Sequence, residues 1–347
     1  MRAQGISWMV VGWCALFGLA GSACAADPSP AADPPLSLEA RSKALERAAA
    51  SVVGIEAQAV EGARSARTLG RSRQGSGVVI ADDGLVLTIG YLILEAEQVQ
   101  LVTDDQRRLP ARVVAYDLAT GFGLVRPLTP LKLAPAPLGP AARVGADEAL
   151  MVVSGGEQGG LSMARLVSRR GFSGYWEYHI DGALFTAPPR MDHSGAGLFD
   201  GRGQLVGIGS LIVTDAAGPG AGRSPGNMFV PVDLLRPILS ELLDKGRSSQ
   251  SERAWIGINA VEVEGRVRVV RVTEDSPADV AGLEPGDLIT RIDGQAVSGL
   301  EPLWKTLWRG PGAERPVQLD IERAGEARRL TVHSVDRAKT LRRAEGV

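Results

Sequence analysis

The chain has 347 residues, of which 44% are hydrophobic and 22% are charged. This composition is typical of globular proteins, and the length allows two or three domains. The formal net charge is −2, so there is no strong basic field to attract nucleic acid or an anionic membrane surface. The sequence therefore predicts no nucleic-acid partner.

Residues 1–25 are typical of a secretory signal peptide. Met9 to Ala20 form its apolar stretch, and Ala23-Cys24-Ala25 is a small-residue cleavage site. Both cysteines, Cys14 and Cys24, lie in this segment, so the mature chain is expected to have no disulfide. We expect a periplasmic protein, with a lipid anchor at Cys24 as the alternative.

The mature chain is predicted to begin with a linker and a helix. Residues 26–36 are rich in proline and alanine, which favours an extended linker. No later stretch reaches the ~20 apolar residues of a membrane-spanning helix, so no transmembrane segment is expected in the mature chain. A strand is predicted near Val52 to Glu56. Before it, one helical stripe is formed by Leu38, Leu45, Ala48, Ala49 and Val52.

Short β-branched runs separated by glycine and aspartate dominate the next part of the chain. They predict an all-β barrel or sandwich. After Pro231 a helical pattern ends at Gly246. Its apolar face comprises Leu234, Leu235, Ile238, Leu239, Leu242 and Leu243. The polar residues 247–253 are predicted to be an interdomain linker.

Three motifs resemble those around the catalytic residues of the HtrA (Deg) group of periplasmic trypsin-like proteases. The motifs are Gly75-Ser76-Gly77 with the later Thr88-Ile89-Gly90-Tyr91, Asp117-Leu118-Ala119-Thr120-Gly121, and Asp192-His193-Ser194-Gly195. The resemblance implies a mostly β fold, with a trypsin-like double β-barrel over residues 37–246 followed by one PDZ domain. It also implies a possible homo-oligomer.

Under this resemblance, the positions of the general base, the orienting aspartate and the nucleophile are held by Tyr91, Gly121 and Ser194. The separations, 121 − 91 = 30 and 194 − 121 = 73, keep the order of the trypsin-like enzymes. A serine hydroxyl attacks an amide only when an oriented base accepts its proton. We therefore predict a protease fold with a degenerate triad.

In the absence of a histidine at position 91, two groups are candidates for the base, His193 and Tyr91 itself. His193 adjoins Ser194, but neighbouring residues on a tight turn point apart, so a polar turn residue is the simpler interpretation. Tyr91, with an ordinary pKa of about 10, is protonated at neutral pH. Asp192 also replaces a glycine of the oxyanion turn, where a side chain restricts φ.

Residues 254–336 resemble a PDZ domain, and residues 337–347 form a basic tail. Trp255, Ile256, Gly257 and Ile258 match the carboxylate-binding loop of such domains. This implies that the domain binds peptides or protein C-termini through backbone N–H groups. A helix beside the groove is expected from Leu300 to Trp308. The alternative is a blocked groove or a packing platform, with Trp255 as a possible plug.

His179 and His333 are isolated in sequence, so no metal site and no cofactor are predicted. Two functions follow from these patterns. The first is a catalytically inactive exported homologue of HtrA proteases that binds peptides through its PDZ domain. The second is an active serine endopeptidase that uses Ser194 with a non-standard base.

Overall fold

The computed structural model describes residues 36–342. The predicted signal peptide, the possible lipid anchor at Cys24 and residues 26–35 of the predicted linker lie outside the described residues. Within residues 36–342, no helix is long and apolar enough to cross a membrane.

The first barrel is built from the predicted β-branched runs. Its strands are β1 (Val52–Ala59), β2 (Ser72–Val79), β3 (Val86–Ile89), β4 (Ala96–Val102), β5 (Arg108–Tyr116) and β6 (Phe122–Pro127). They close in the order β1-β2-β3-β6-β5-β4, with antiparallel pairing. Closure leaves no open sheet edge.

The second barrel repeats this arrangement. Its strands are β7 (Ala149–Ser154), β8 (Gly160–Ser173), β9 (His179–Ala187), β10 (Gly197–Phe199), β11 (Leu205–Val213) and β12 (Gly226–Pro231). They close in the order β10-β11-β12-β9-β8-β7. One apolar core includes residues of both barrels, among them the fully buried Phe122, Phe185 and Phe199, and a separate core around Leu184 and Phe229 lies in the second barrel. The predicted double barrel is confirmed.

The helices correct two details of the sequence pattern. Helix α1 spans Leu38–Ala50, and the Ser37 hydroxyl caps it by accepting a hydrogen bond from the Ala40 amide. Leu38 is 87% exposed, so it does not belong to the buried stripe. Val52 begins strand β1 instead of extending the helix.

The helix predicted after Pro231 is broken in two. A 3₁₀ turn at Val232–Leu234 is separated from helix α3 at Leu239–Lys245. Pro237 explains the break, because it lacks an N–H and disfavours helical backbone at the preceding residue. Leu243 is 40% exposed and lies off the buried face.

The C-terminal domain has a core of its own, centred on Trp304. Its strands are β13 (Ala254–Trp255), β14 (Ile258–Val263), β15 (Arg266–Val272), β16 (Leu288–Ile292), β17 (Gln295–Ala296), β18 (Pro316–Arg323), β19 (Glu326–His333) and β20 (Val335–Asp336). The helices of this domain are α4 (Pro277–Val280) and α5 (Leu300–Trp308). The short helix α2 (Ala66–Leu69) belongs to the first barrel, between β1 and β2. Helix α5 has the predicted bounds.

The segment predicted to be an interdomain linker is anchored to the first barrel. The fully buried carboxylate of Asp117 accepts hydrogen bonds from the hydroxyls of Ser248 and Ser251. In the described part of the basic tail, the Arg342 amide donates to the carboxylate of Glu95 at 2.8 Å. Both connections hold the C-terminal domain against the barrels.

Candidate functional site

The residues aligned with a catalytic triad meet between the two barrels. Tyr91 lies in a 3₁₀ turn directly after β3, and Ser194 lies in the loop between β9 and β10. Gly121 precedes β6, which pairs with β3, and its carbonyl accepts a hydrogen bond from the Gly90 amide at 2.6 Å. The Ser76 amide donates to the Ser194 carbonyl at 2.8 Å, which fixes the Ser194 loop against β2.

The Tyr91 hydroxyl contacts the Ser194 hydroxyl directly. It lies 2.7 Å from Ser194 Oγ and 2.9 Å from the carbonyl oxygen of Ser210. A phenol carries one proton and a carbonyl only accepts, so Ser194 donates to the phenol oxygen whenever Tyr91 donates to Ser210. Burial raises the pKa of Tyr91 to about 12, against a smaller lowering by the Ser194 hydrogen bond. The phenol is therefore neutral at physiological pH.

The position aligned with the orienting aspartate is filled by another side chain. Gly121 has φ +78°, and an added Cβ would lie 2.9 Å from the hydroxyl oxygen of Tyr178. That hydroxyl donates to the Thr120 carbonyl at 2.9 Å. A carboxylate at position 121 would therefore meet both backbone strain and steric conflict.

The carboxylate of Asp192 is occupied by neighbours other than Ser194. It pairs with Arg190, whose Nε lies 2.9 Å from Oδ1, and it accepts a hydrogen bond from Ser154. Burial raises the pKa of Asp192, but the hydrogen bonds from Arg190 and Ser154 outweigh it, and the pKa is lowered overall. This carboxylate serves the loop as a structural partner.

The imidazole of His193 also has a different partner. Its Nδ1 lies 3.1 Å from the carbonyl oxygen of Arg190, which makes that nitrogen the donor. Burial lowers the pKa of His193, against smaller raising effects from backbone hydrogen bonds. Within residues 36–342, the group that contacts the Ser194 hydroxyl is thus a phenol, not an imidazole or a carboxylate.

A second site lies at the start of β14. The backbone N–H groups of Ile256, Gly257 and Ile258, here called the amide cradle, point at one carboxylate oxygen. They lie 3.3, 2.7 and 3.1 Å from Oε1 of Glu177, a residue between β8 and β9. Gly257 has φ +90°, and an added Cβ would collide with Ser276, so the cradle requires glycine there.

Family models match both parts of the chain. A trypsin-like peptidase domain matches residues 75–208, and a PDZ domain matches residues 254–333. The chain joins a trypsin-like peptidase domain to a PDZ domain. Both domains agree with the double barrel and the separate C-terminal core described above.

Curated relatives are named as probable periplasmic serine endoproteases of the DegP-like type. The relative from Brucella suis biovar 1 (strain 1330) is 27% identical over 240 residues, covering 65% of this chain and 45% of the relative. The relative from Marinomonas sp. (strain MWYL1) is 29% identical over 259 residues, covering 66% and 50%. The chain spans about half the length of the curated relatives it matches.

Solved structures share the fold at lower identity. The HtrA-type protease AlgW with a tripeptide has a TM-score of 0.52 at 21% identity, covering 85% of this chain and 96% of AlgW. The serine endoprotease from Yersinia pestis has a TM-score of 0.52 at 20% identity, covering 88% and 99%. At these identities the likeness concerns the fold alone.

The predicted site residues of the peptidase and PDZ domains form two separate groups. The structure brings Tyr91 into contact with Ser194, whereas Gly121, being a glycine, contributes no side chain to the site. Ile256, Gly257 and Ile258 form the amide cradle, whereas Trp255 lies in β13, paired with Val335. Trp255 is therefore not the residue that fills the cradle.

Sequence reasoning missed Tyr178 and Glu177, which fill the two positions. Both lie in the run Gly174-Tyr175-Trp176-Glu177-Tyr178, which holds two of the chain's four tyrosines. Such a density of aromatic side chains, in a chain with 5% aromatic residues, is a signal of an unusual packing segment.

One group of potential metal ligands lies at the contact between the two domains. His179, Asp181 and Glu301 bring a ring nitrogen and two carboxylates within 4.8 Å of one another. The ammonium group of Lys305 lies between the carboxylates, 2.9 Å from Asp181 and 2.7 Å from Glu301. A cation of this chain thus already neutralises the cluster.

Proposed function

We propose that this chain is a catalytically inactive HtrA-type homologue that acts by binding polypeptides. The observation that carries the proposal is the 2.7 Å hydrogen bond between the Ser194 hydroxyl and the neutral phenol of Tyr91, at the position aligned with the general base. A neutral phenol oxygen accepts a hydrogen bond but does not take up a proton. The serine therefore lacks the base that acyl transfer requires.

The energetics support inactivity. With the pKa of Tyr91 at about 12, roughly one molecule in 10⁵ carries a phenolate at pH 7. That population corresponds to about 7 kcal/mol, which adds to the barrier of any reaction that uses the phenolate as base. In subtilisin, an unrelated serine protease, loss of the triad histidine alone lowers turnover by about 10⁶.

The binding function rests on the PDZ domain. Its amide cradle presents three converging N–H groups, which suit the terminal carboxylate of a peptide that adds a strand beside β14. We infer that peptides or protein C-termini are the ligands. The names of the curated relatives and the signal-like first 25 residues support a periplasmic location, in envelope protein quality control or as a scaffold.

The test is active-site labelling of the purified chain. We expect a fluorophosphonate probe to label the wild-type chain no more than the Ser194→Ala variant, with trypsin as a positive control. Denatured casein should remain uncleaved over hours at pH 7 to 9. Labelling at Ser194 together with casein cleavage that Ser194→Ala abolishes would refute the proposal.

The second candidate is an active serine endopeptidase with Tyr91 as a non-standard base. It is favoured by the retained Ser194, by the 2.7 Å contact with Tyr91, and by the naming of the relatives as endoproteases. This candidate requires activity that rises steeply with pH as the phenol ionises, up to the pKa near 12. Absence of proteolytic activity at every pH from 7 to 10 would support the inactive homologue, and activity that rises over this range would support the endopeptidase.

A further inference from the structure

A segment of the peptidase domain lies along the edge strand of the PDZ domain. The segment, Gly174 to Glu177, connects β8 to β9. The Ala260 amide in β14 donates to the carbonyl of Tyr175 at 2.7 Å, and Trp176 forms an antiparallel bridge with Asn259. This backbone pairing adds the segment to the sheet as a short extra strand.

The direction of the segment matches that of a peptide bound by its C-terminus. Tyr175 pairs at residue 260, Trp176 at residue 259, and Glu177 reaches the amide cradle at residues 256 to 258. The segment thus runs antiparallel to β14 toward the cradle, and the side-chain carboxyl of Glu177 enters the cradle. A peptide whose terminal carboxylate enters the cradle must run the same way.

Glu177 is buried, with 6% of its surface exposed. The cradle amides supply the hydrogen bonds that its carboxyl group needs, because a buried carboxyl without partners is strongly disfavoured. Its second oxygen also lies 3.2 Å from the Ile256 amide. The Glu177 side chain therefore takes the place of a ligand's terminal carboxylate.

Helix α5, the other wall of the groove, holds the same segment. The indole nitrogen of Trp304 donates to the carbonyl of Gly174 at 3.1 Å, and Trp304 is fully buried. Trp176 stacks on Tyr178, a residue of the barrel core, with ring centroids 5.6 Å apart and an interplanar angle of 13°. The segment is thus fixed between the barrel and the PDZ domain.

We propose that residues 174–177 are an internal ligand that closes the PDZ groove, with Glu177 in the amide cradle, and that an external peptide binds only after this segment is displaced. The proposal rests on the peptide-binding function proposed above and specifies its regulation. Because the closed state competes with the peptide, the apparent affinity falls in proportion to the open fraction. Peptide binding therefore releases the β8–β9 connection from the PDZ domain.

Hydrogen exchange of the full mature chain tests closure without any peptide. In wild type we expect the amides of Ile256, Gly257 and Ile258 to be protected, and in Glu177→Ala to exchange at least tenfold faster. Glu177→Gln, which keeps one acceptor oxygen, should lie between them. The matched control is Glu326→Ala, an exposed glutamate of β19 whose removal should leave these amides unchanged. Equal exchange in wild type and Glu177→Ala would overturn the proposal.

Fluorescence polarisation then tests competition. The probe is a fluorescein-labelled peptide of residues 170–177 with a free C-terminal carboxylate, and the control is its amidated form with glutamine in place of the last glutamate. We expect Glu177→Ala to bind the free-carboxylate probe at least tenfold more tightly than wild type does. Equal binding to wild type and Glu177→Ala would refute gating by the segment.

Failure of the two proposals gives different results. If Glu177→Ala exposes the cradle in hydrogen exchange but binds neither that probe nor a pool of random peptides with free carboxylates, internal closure stands and the peptide-binding function fails. If wild type binds peptide tightly while its cradle amides exchange freely, the binding function stands and closure fails. Unfolding curves of each variant separate either outcome from a failure to fold.

Discussion

The two candidate sites of this molecule are each occupied by a side chain of the chain itself, but these side chains differ in acidity. At the position aligned with the nucleophile, the phenol of Tyr91 contacts Ser194, and the pKa of this phenol is about 12. At the amide cradle, the carboxyl of Glu177 accepts three N–H groups, and burial raises its pKa to about 7, against lowering by Arg337 and by the amides. The first group stays neutral over the physiological range, whereas the second titrates within it.

This difference indicates which position is permanent and which is adjustable. The Tyr91 contact is reinforced because Tyr178 fills the space beside Gly121, so replacing one residue does not restore a triad. The Glu177 contact is made by a single side chain of the β8–β9 connection, in which Tyr175 is 57% exposed. We infer that the peptidase site is fixed in its present state and that the PDZ groove is the regulated site.

The largest expected effect is loss of the cradle itself. Gly257→Leu places a side chain at φ +90° against Ser276, and we expect about 3 kcal/mol of lost stability in the PDZ domain. In the Glu177→Ala background, it should weaken binding of the peptide of residues 170–177 at least 100-fold. Urea unfolding and fluorescence polarisation measure the two effects. Undiminished peptide binding by Gly257→Leu would show that peptides bind elsewhere.

The permanence of the peptidase site is tested by rebuilding its missing carboxylate. We expect Gly121→Asp to lower the free energy of unfolding by about 2 kcal/mol, through left-handed backbone strain and conflict with the Tyr178 hydroxyl. Tyr178→Phe removes that hydroxyl, so the double variant should lose less than the sum of the single variants. Urea unfolding of wild type, the two single variants and the double variant completes this double-mutant cycle. A stable Tyr91→His/Gly121→Asp chain that cleaves casein would contradict this view.

The adjustable site should respond to pH. The ordinary pKa of a glutamate is about 4.5, and that of Glu177 in the closed groove is about 7. Between these values the closed state binds a proton that the open state lacks. Acid therefore favours closure, and this contribution is lost as the pH rises through 7. We expect peptide affinity to increase at least tenfold from pH 5 to pH 8 in wild type and to stay flat in Glu177→Gln. Affinity that falls with rising pH would contradict this assignment.

The sequence sufficed for the barrels and for helix α5, because these depend on local periodicity and turn residues. β-Branched runs bounded by glycine and aspartate specified the strands, and the apolar spacing from Leu300 to Trp308 specified the helix. The break at Pro237 was also readable, since proline lacks the N–H that a continuous helix requires. The apolar spacing continues across Pro237, so spacing alone predicted one unbroken helix.

The occupants of both sites could not be predicted in the same way. Tyr178 is 57 residues from Gly121, and Glu177 is 80 residues from Gly257, so only tertiary packing brings each pair together. The sequence suggested only adjacent residues for these roles: His193, next to Ser194, as a base, and Trp255, next to Ile256, as a plug. Long-range partners leave no such local pattern.

A smaller effect is expected at Tyr91 itself. Tyr91→Phe removes the hydrogen bonds to Ser194 and to the Ser210 carbonyl, which should cost about 1 kcal/mol of stability. Fluorophosphonate labelling should stay at background. The matched control is Tyr175→Phe, because that side chain is 57% exposed and its loss of a hydroxyl should be neutral. Wild-type labelling that falls 100-fold in Tyr91→Phe would favour the active endopeptidase.

The smallest effect is expected for the surface charges that join the two domains. Lys305 bridges Asp181 and Glu301, with side chains that are 38%, 73% and 50% exposed. Exposed ion pairs contribute about 0–1 kcal/mol and are screened by salt. Lys305→Ala should therefore change peptide affinity less than about threefold. If Lys305→Ala opened the groove as fully as Glu177→Ala, closure would depend on surface charge, and 500 mM NaCl would open wild type as well. Insensitivity to both would place the closing contact in the buried cradle.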